Sequence, residues 1–275
     1  MTNTSDKPVQ AYTNKDFIEK REGRPLRILA EYLEPDARFE AQKVEDTIVF
    51  IGSARLLPQD VAEEKLAIAR KMNGDVKRAE MDVFMARYYE DTRELGRRLT
   101  QWSKNLAGNQ RRFVICTGGG PGIMEAGNRG ASEAKGLNVG LNITLPFEQD
   151  PNPYITRQLS FDFRYFFMRK FWFIYLAKAI VAFPGGYGTM DELFETLTLI
   201  QTGKISKKLP IVLFGREFWE DVMNLKALVK YGTISPEDLD LIHYTDSVDE
   251  AYEYLTDFLE THALGEMARS QATAP

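Results

Sequence analysis

Two glycine clusters in this chain have the composition and spacing of anion-binding loops. The sharper one is Phe183-Pro184-Gly185-Gly186-Tyr187-Gly188-Thr189-Met190-Asp191-Glu192. Gly185, Gly186 and Gly188 can present successive bare N–H groups. Thr189 adds a hydroxyl, and the positive end of a following helix would point at the same spot. A second reading is open: Thr189-x-x-Glu192 has capping-box spacing, which would occupy both side chains in starting the helix. The other cluster is Thr117-Gly118-Gly119-Gly120-Pro121-Gly122. Pro121 suits a first helical position. One glycine would suffice for a plain turn, so three point to a ligand brought against the backbone.

The third feature is an arginine on an apolar helix. Phe163 to Tyr175 is apolar nearly all round, as expected of a helix buried in a core or at a subunit interface. An arginine there needs an anionic partner, because a lone buried charge is expensive. For Arg169 the candidates are Glu192 and a bound phosphate; the alternative places Arg169 and Lys170 together on one solvated stripe.

The elements that must position these groups follow a repeating pattern. Residues 47–51, 113–116, 139–143, 179–183 and 210–214 are short apolar runs, four of which lead into glycine-bearing turns. Helical stretches fall near 76–106, 121–135, 164–177, 189–202, 216–230 and 248–260. Strand, glycine turn and helix in alternation predict an α/β fold: a Rossmann-like, doubly wound parallel sheet with helices on both faces. Ligands in such sheets sit at the carboxyl ends of strands, where both clusters fall. Residues 1–45 read as a polar tail and a helical arm over 25–44 that Pro35 breaks. Residues 46–262 read as the nucleotide-binding domain, and 263–275 as a flexible tail.

Composition narrows the partners. A net charge of −5 on 275 residues gives no general attraction to nucleic acid or to an anionic membrane, so a phosphate must be held by local donors. The single cysteine, Cys116, allows no internal disulfide and suits a reducing, cytoplasmic setting. No signal peptide is evident, and the most apolar stretch, 161–177, is too short and too charged to span a bilayer. His243 and His262 stand apart, so no metal site is expected, and no cofactor. Neither a dinucleotide-binding nor a P-loop glycine pattern is present.

In combination, Gly118 to Met124, Met168-Arg169-Lys170 and Pro184 to Glu192 resemble the LOG (lonely guy) family over residues 46–230. Its members are cytokinin riboside 5′-monophosphate phosphoribohydrolases, formerly mislabelled lysine decarboxylases. The resemblance implies Arg169 and Glu192 as the catalytic pair and Gly185, Gly186, Gly188 and Thr189 as the phosphate loop. It further implies Gly118, Gly119, Gly52, Ser53, Met168 and Lys170 at the nucleotide site. The N-terminal arm and the form of the first loop fit a longer bacterial branch, for which plain adenine is an alternative base. The implied reaction is hydrolysis of a purine or cytokinin nucleoside 5′-monophosphate to free base and ribose 5-phosphate, by a homodimer or higher homo-oligomer. The rivals are an AMP nucleosidase in purine salvage and a non-catalytic carrier of a phosphate-bearing cofactor such as the molybdenum cofactor. The decarboxylase label would require pyridoxal phosphate on an activated lysine, with Lys170 and Lys178 nearest.

Overall fold

A computed structural model describes residues 8–106, 108–145 and 150–264. The expected unstructured N-terminus falls mostly, and the C-terminal tail almost wholly, outside the described residues. In chain order the elements are α1 (Lys15–Ile18), α2 (Arg24–Ala41), β1 (Thr47–Ile51), α3 (Gln59–Lys71), α4 (Val76–Lys104) and β2 (Val114–Thr117). Then come α5 (Ile123–Glu133), β3 (Asn138–Ile143), β4 (Ser160–Phe163), α6 (Phe166–Tyr175) and β5 (Ala177–Ala182). The chain closes with α7 (Tyr187–Gln201), β6 (Ile211–Phe214), α8 (Arg216–Val222), α9 (Leu225–Lys230), β7 (Ile242–Thr245) and α10 (Val248–Leu259).

The strands form one seven-stranded sheet in the order β4-β3-β2-β1-β5-β6-β7, and every pairing is parallel. Both faces are covered, which is why β1 reads Thr-Ile-Val-Phe-Ile with no polar interruption and is buried throughout. The period of two divides its side chains between two cores. Val49 and Ile51 face α6 and α7 through Trp172, Phe173 and Leu193. Ile48 and Phe50 face α4, α5 and α10 through Leu95, Leu99, Ile123 and Leu255. The chain leaves β1 toward β2 on one side and returns to β5 on the other, so the turns after β1 and β5 flank the point where the winding reverses.

Four expectations need correcting. The residues 216–230 are two helices: Met223 is extended, and the Asn224 side chain accepts from the Ala227 amide to start α9 afresh. Two edge strands, β4 and β7, leave little mark in the sequence because each has only four residues and is incompletely buried. Helix α3 was also unread, and it buries only Ala62.

The fourth correction is the arm. Pro35 lies inside α2 and does not break it. A proline has no N–H to give the carbonyl four residues back, here that of Glu31. That carbonyl instead accepts the Trp172 indole N–H at 3.0 Å. The Glu31 carboxylate meanwhile accepts the Arg164 and Tyr165 amides at 2.8 and 3.3 Å, at the start of α6. Arg27 adds a bond to the Tyr165 hydroxyl at 3.1 Å, and Phe39 packs at a tilt against Trp172 with centroids 5.5 Å apart. One residue of the arm therefore satisfies both the first turn of α6 and a tryptophan midway along it. Trp172→Phe leaves the Glu31 carbonyl without this donor and should cost about 1–3 kcal/mol. Urea unfolding should show it as a lowered midpoint with an unchanged slope.

Candidate functional site

Helix α6 brings Arg169 against α7. Its Nη2 donates to Glu192 Oε1 at 2.6 Å, with 11% and 15% of the two side chains exposed. The solvated-stripe alternative therefore does not hold for Arg169. Its guanidinium carbon lies 5.4 and 5.3 Å from the ring centroids of Phe166 and Phe173, a packing that favours a cation. Lys170 points elsewhere and pairs with Asp191 at 2.8 Å and Glu195 at 3.1 Å, so α6 and α7 are joined by a short ladder of ion pairs.

The capping-box alternative fails as well. Helix α7 starts at Tyr187 with Gly186 as its N-cap and no side-chain cap, and Glu192 is spent on Arg169. Thr189 is inside the first turn and buried. A Cβ at Gly185 would collide with the Thr189 hydroxyl, so the loop and the helix start can approach this closely only with glycine there. The arrangement keeps an uncapped helix N-terminus, an anion site by its nature.

The turn after β1 is sewn to both neighbours. The Ser53 amide donates to Pro184 O and the Ile123 amide to Ser53 O, each at 3.0 Å. Gly122, at φ +69°, can make that second contact because a Cβ would strike the Ser53 carbonyl. The first glycine cluster is braced from behind by buried amides: Asn152 Nδ2 donates to the carbonyls of Gly119 and Gly120 and to Asn128 Oδ1.

These loops open on one cleft of about 1220 Å³ at the carboxyl ends of the strands. Of the sequence-derived residues, Gly52, Ser53, Gly118, Arg169, Gly185, Gly186, Gly188, Thr189 and Glu192 line it together. Gly119, Met168 and Lys170 are not on its wall. Gly119 packs against Asn142, Met168 belongs to the core, and Lys170 is in the ion-pair ladder. The wall also holds residues the sequence did not single out, among them Arg55, Arg78, Asp82, Asn142 and Asp162. The signal that could have found them is position, since Arg55 follows the first strand's turn and Asn142 and Asp162 end β3 and β4. No lysine lines the cleft among the described residues. The site therefore does not fit a pyridoxal phosphate Schiff base.

Burial pushes the Glu192 carboxyl up to about 7 from 4.5, against the opposing pull of Arg169. A carboxyl poised there can exchange its proton near neutrality. Among the described residues no cluster of His, Cys, Asp and Glu is arranged to hold a metal ion. No helix of the described residues is long and apolar enough to cross a membrane.

A family model described as "Possible lysine decarboxylase" matches residues 124–255. They include Arg169, Glu192 and the second glycine loop, while the turns at Gly52 and Gly118 precede them. The pyrimidine/purine nucleotide 5′-monophosphate nucleosidase of Escherichia coli is 29% identical over 159 residues, which are 53% of this chain and 34% of that protein. The cytokinin riboside 5′-monophosphate phosphoribohydrolase LOG1 of Arabidopsis thaliana is 34% identical over 88 residues, 31% of this chain and 40% of that protein. The matches thus span well under half the length of either relative. The molybdenum cofactor binding protein of Rippkaea orientalis superposes with a TM-score of 0.47 at 15% identity, covering 78% of this chain and 95% of that one.

Between about pH 4.5 and 7 the folded state keeps a proton on Glu192 that the unfolded chain has lost, so this group's contribution to stability falls as pH rises through that window. Glu192→Gln removes the titration. Its urea midpoint should change less than the wild type's between pH 5 and pH 8, and a parallel change in both proteins would refute the assignment.

Proposed function

We propose that this protein hydrolyses the N-glycosidic bond of a purine or cytokinin nucleoside 5′-monophosphate, giving free base and ribose 5-phosphate. The observation that carries the reading is the Arg169–Glu192 pair, set on the wall of the same cleft as the uncapped glycine loop. The relatives named as nucleotide nucleosidase and phosphoribohydrolase support the same chemistry.

In this mechanism the 5′-phosphate docks on Gly185, Gly186, Gly188 and Thr189, with ribose C1′ over Glu192. Breakage of the C1′–N bond leaves oxocarbenium charge on the sugar, which a fixed carboxylate stabilises. Glu192 also orients the attacking water and takes its proton. The water oxygen bonds to C1′, the C1′–N electron pair leaves on the base nitrogen, which takes a proton from solvent, and Glu192 returns the water's proton to solvent. Arg169 holds the carboxylate in place. Gly52, Ser53 and Gly118 complete the nucleotide's surroundings.

The exposed aromatics of α6, including Phe166, Phe167 and Tyr175, support assembly as a homodimer or larger. Light scattering at a single monomer mass would contradict that assembly.

The deciding experiment incubates pure protein with AMP and with isopentenyladenosine 5′-monophosphate and analyses the products. Base and ribose 5-phosphate should appear with the wild type. Glu192→Gln should remain folded and lose about two orders of magnitude in rate. The ionised carboxylate is the active form, so kcat/KM should rise as pH climbs through about 7. No release from either nucleotide would sink the reading.

A further inference from the structure

The glycine loop that would hold the phosphate supplies N–H groups and one hydroxyl but no formal charge. A phosphate monoester approaches two negative charges at pH 7, its second pKa being about 6. It would have to enter a protein whose net charge is −5. A cation is needed beside the loop, and two of the three arginines on the cleft wall are engaged. Arg169 is bonded to Glu192 at 2.6 Å, and Arg78 pairs with Asp82 at 3.1 Å.

The third is Arg55. Its side chain has no hydrogen bond or ion pair among the described residues, although Asp82, Asp150, Asp162 and Glu192 all line the same cleft. Its backbone is well anchored: the Arg55 amide donates to Ser53 Oγ at 3.1 Å. Ser53 in turn donates through its own amide to Pro184 O at 3.0 Å, on the residue just before the glycine loop. The side chain is therefore exposed and unpaired while its root is tied, through one residue, to the loop that needs a charge.

We propose that Arg55 is the counter-charge for the substrate's phosphate, engaging two of its oxygens and selecting phosphorylated ligands over bare nucleosides. This rests on the phosphate end of the hydrolase reading but not on the bond-breaking step. A guanidinium suits the task because its planar fork matches two phosphate oxygens, a geometry lysine cannot reproduce.

The test is calorimetric titration of wild type, Arg55→Gln and Arg55→Lys with ribose 5-phosphate and with adenosine. Steady-state kinetics on AMP run alongside. Arg55→Gln should weaken ribose 5-phosphate binding about 10- to 100-fold, leave adenosine binding unchanged and melt with the wild type, since the side chain makes no hydrogen bond or ion pair among the described residues. Arg55→Lys should recover only part of the loss. In turnover the Gln variant should raise KM for AMP far more than it lowers kcat. Equal ribose 5-phosphate binding by wild type and Arg55→Gln overturns the proposal, as does an equal loss of adenosine or failure of the wild type to bind ribose 5-phosphate. If no nucleotide is hydrolysed yet Arg55→Gln still loses ribose 5-phosphate, the hydrolase reading falls and Arg55 stands. If hydrolysis occurs and Arg55→Gln binds normally, only the Arg55 assignment falls.

Discussion

A carboxylate kept mostly out of water against a single arginine constrains everything around it. Glu192 tolerates its position only because Arg169 is 2.6 Å away, and Arg169 can stay there only if α6 keeps its place over the sheet. Removing one member of such a pair strands the other, so neither side chain can drift without penalty. The aromatic faces of Phe166 and Phe173 confine the guanidinium further. The result is a carboxyl raised to about 7, where burial outweighs the opposing pull of Arg169, with smaller contributions from Asp191, Lys170 and Glu195.

The N-terminal arm belongs to the same constraint. Glu31 gives its carboxylate to the first amides of α6 and its carbonyl to Trp172, the carbonyl being available because Pro35 has no N–H to claim it. A residue that looks like a helix breaker thus frees the acceptor that ties the arm to the helix bearing Arg169. On the other side, Lys170 fastens α6 to α7 through Asp191 and Glu195. The helix that presents Arg169 is consequently held at its start, at its middle and along its flank.

Sheet topology supplies the remaining geometry. Because β1 and β5 are neighbours whose connections run in opposite directions, their turns separate and leave a crevice above the strand ends. The glycines there let backbone approach backbone and ligand alike. Gly122 admits the Ser53 carbonyl, and Gly185 admits the Thr189 side chain. The proposed hydrolysis uses this arrangement directly, with amides and a helix end at one place and a carboxylate on the same wall.

The strand runs, the glycine turns and the α/β class could be read from the sequence because they are local: an apolar run buried on both faces and a turn that admits only glycine leave their mark on consecutive residues. The pairing of Arg169 with Glu192 was legible as a need, since an arginine on an apolar helix must find an anion. Which anion it finds was decided by the packing of α6 on α7. The same packing separated Arg169 from its neighbour Lys170 and excluded the capping box that Thr189 and Glu192 spell out. The edge strands β4 and β7 were hidden because four incompletely buried residues carry too little pattern. The fate of Pro35 was hidden because its missing hydrogen bond is compensated by a tryptophan 137 positions away in the chain. Arg55, Asn142 and Asp162 gave no motif at all. They meet in one cleft only because the sheet places the ends of β1, β3 and β4 on the same rim, and that is a property of strand order, which no local pattern encodes.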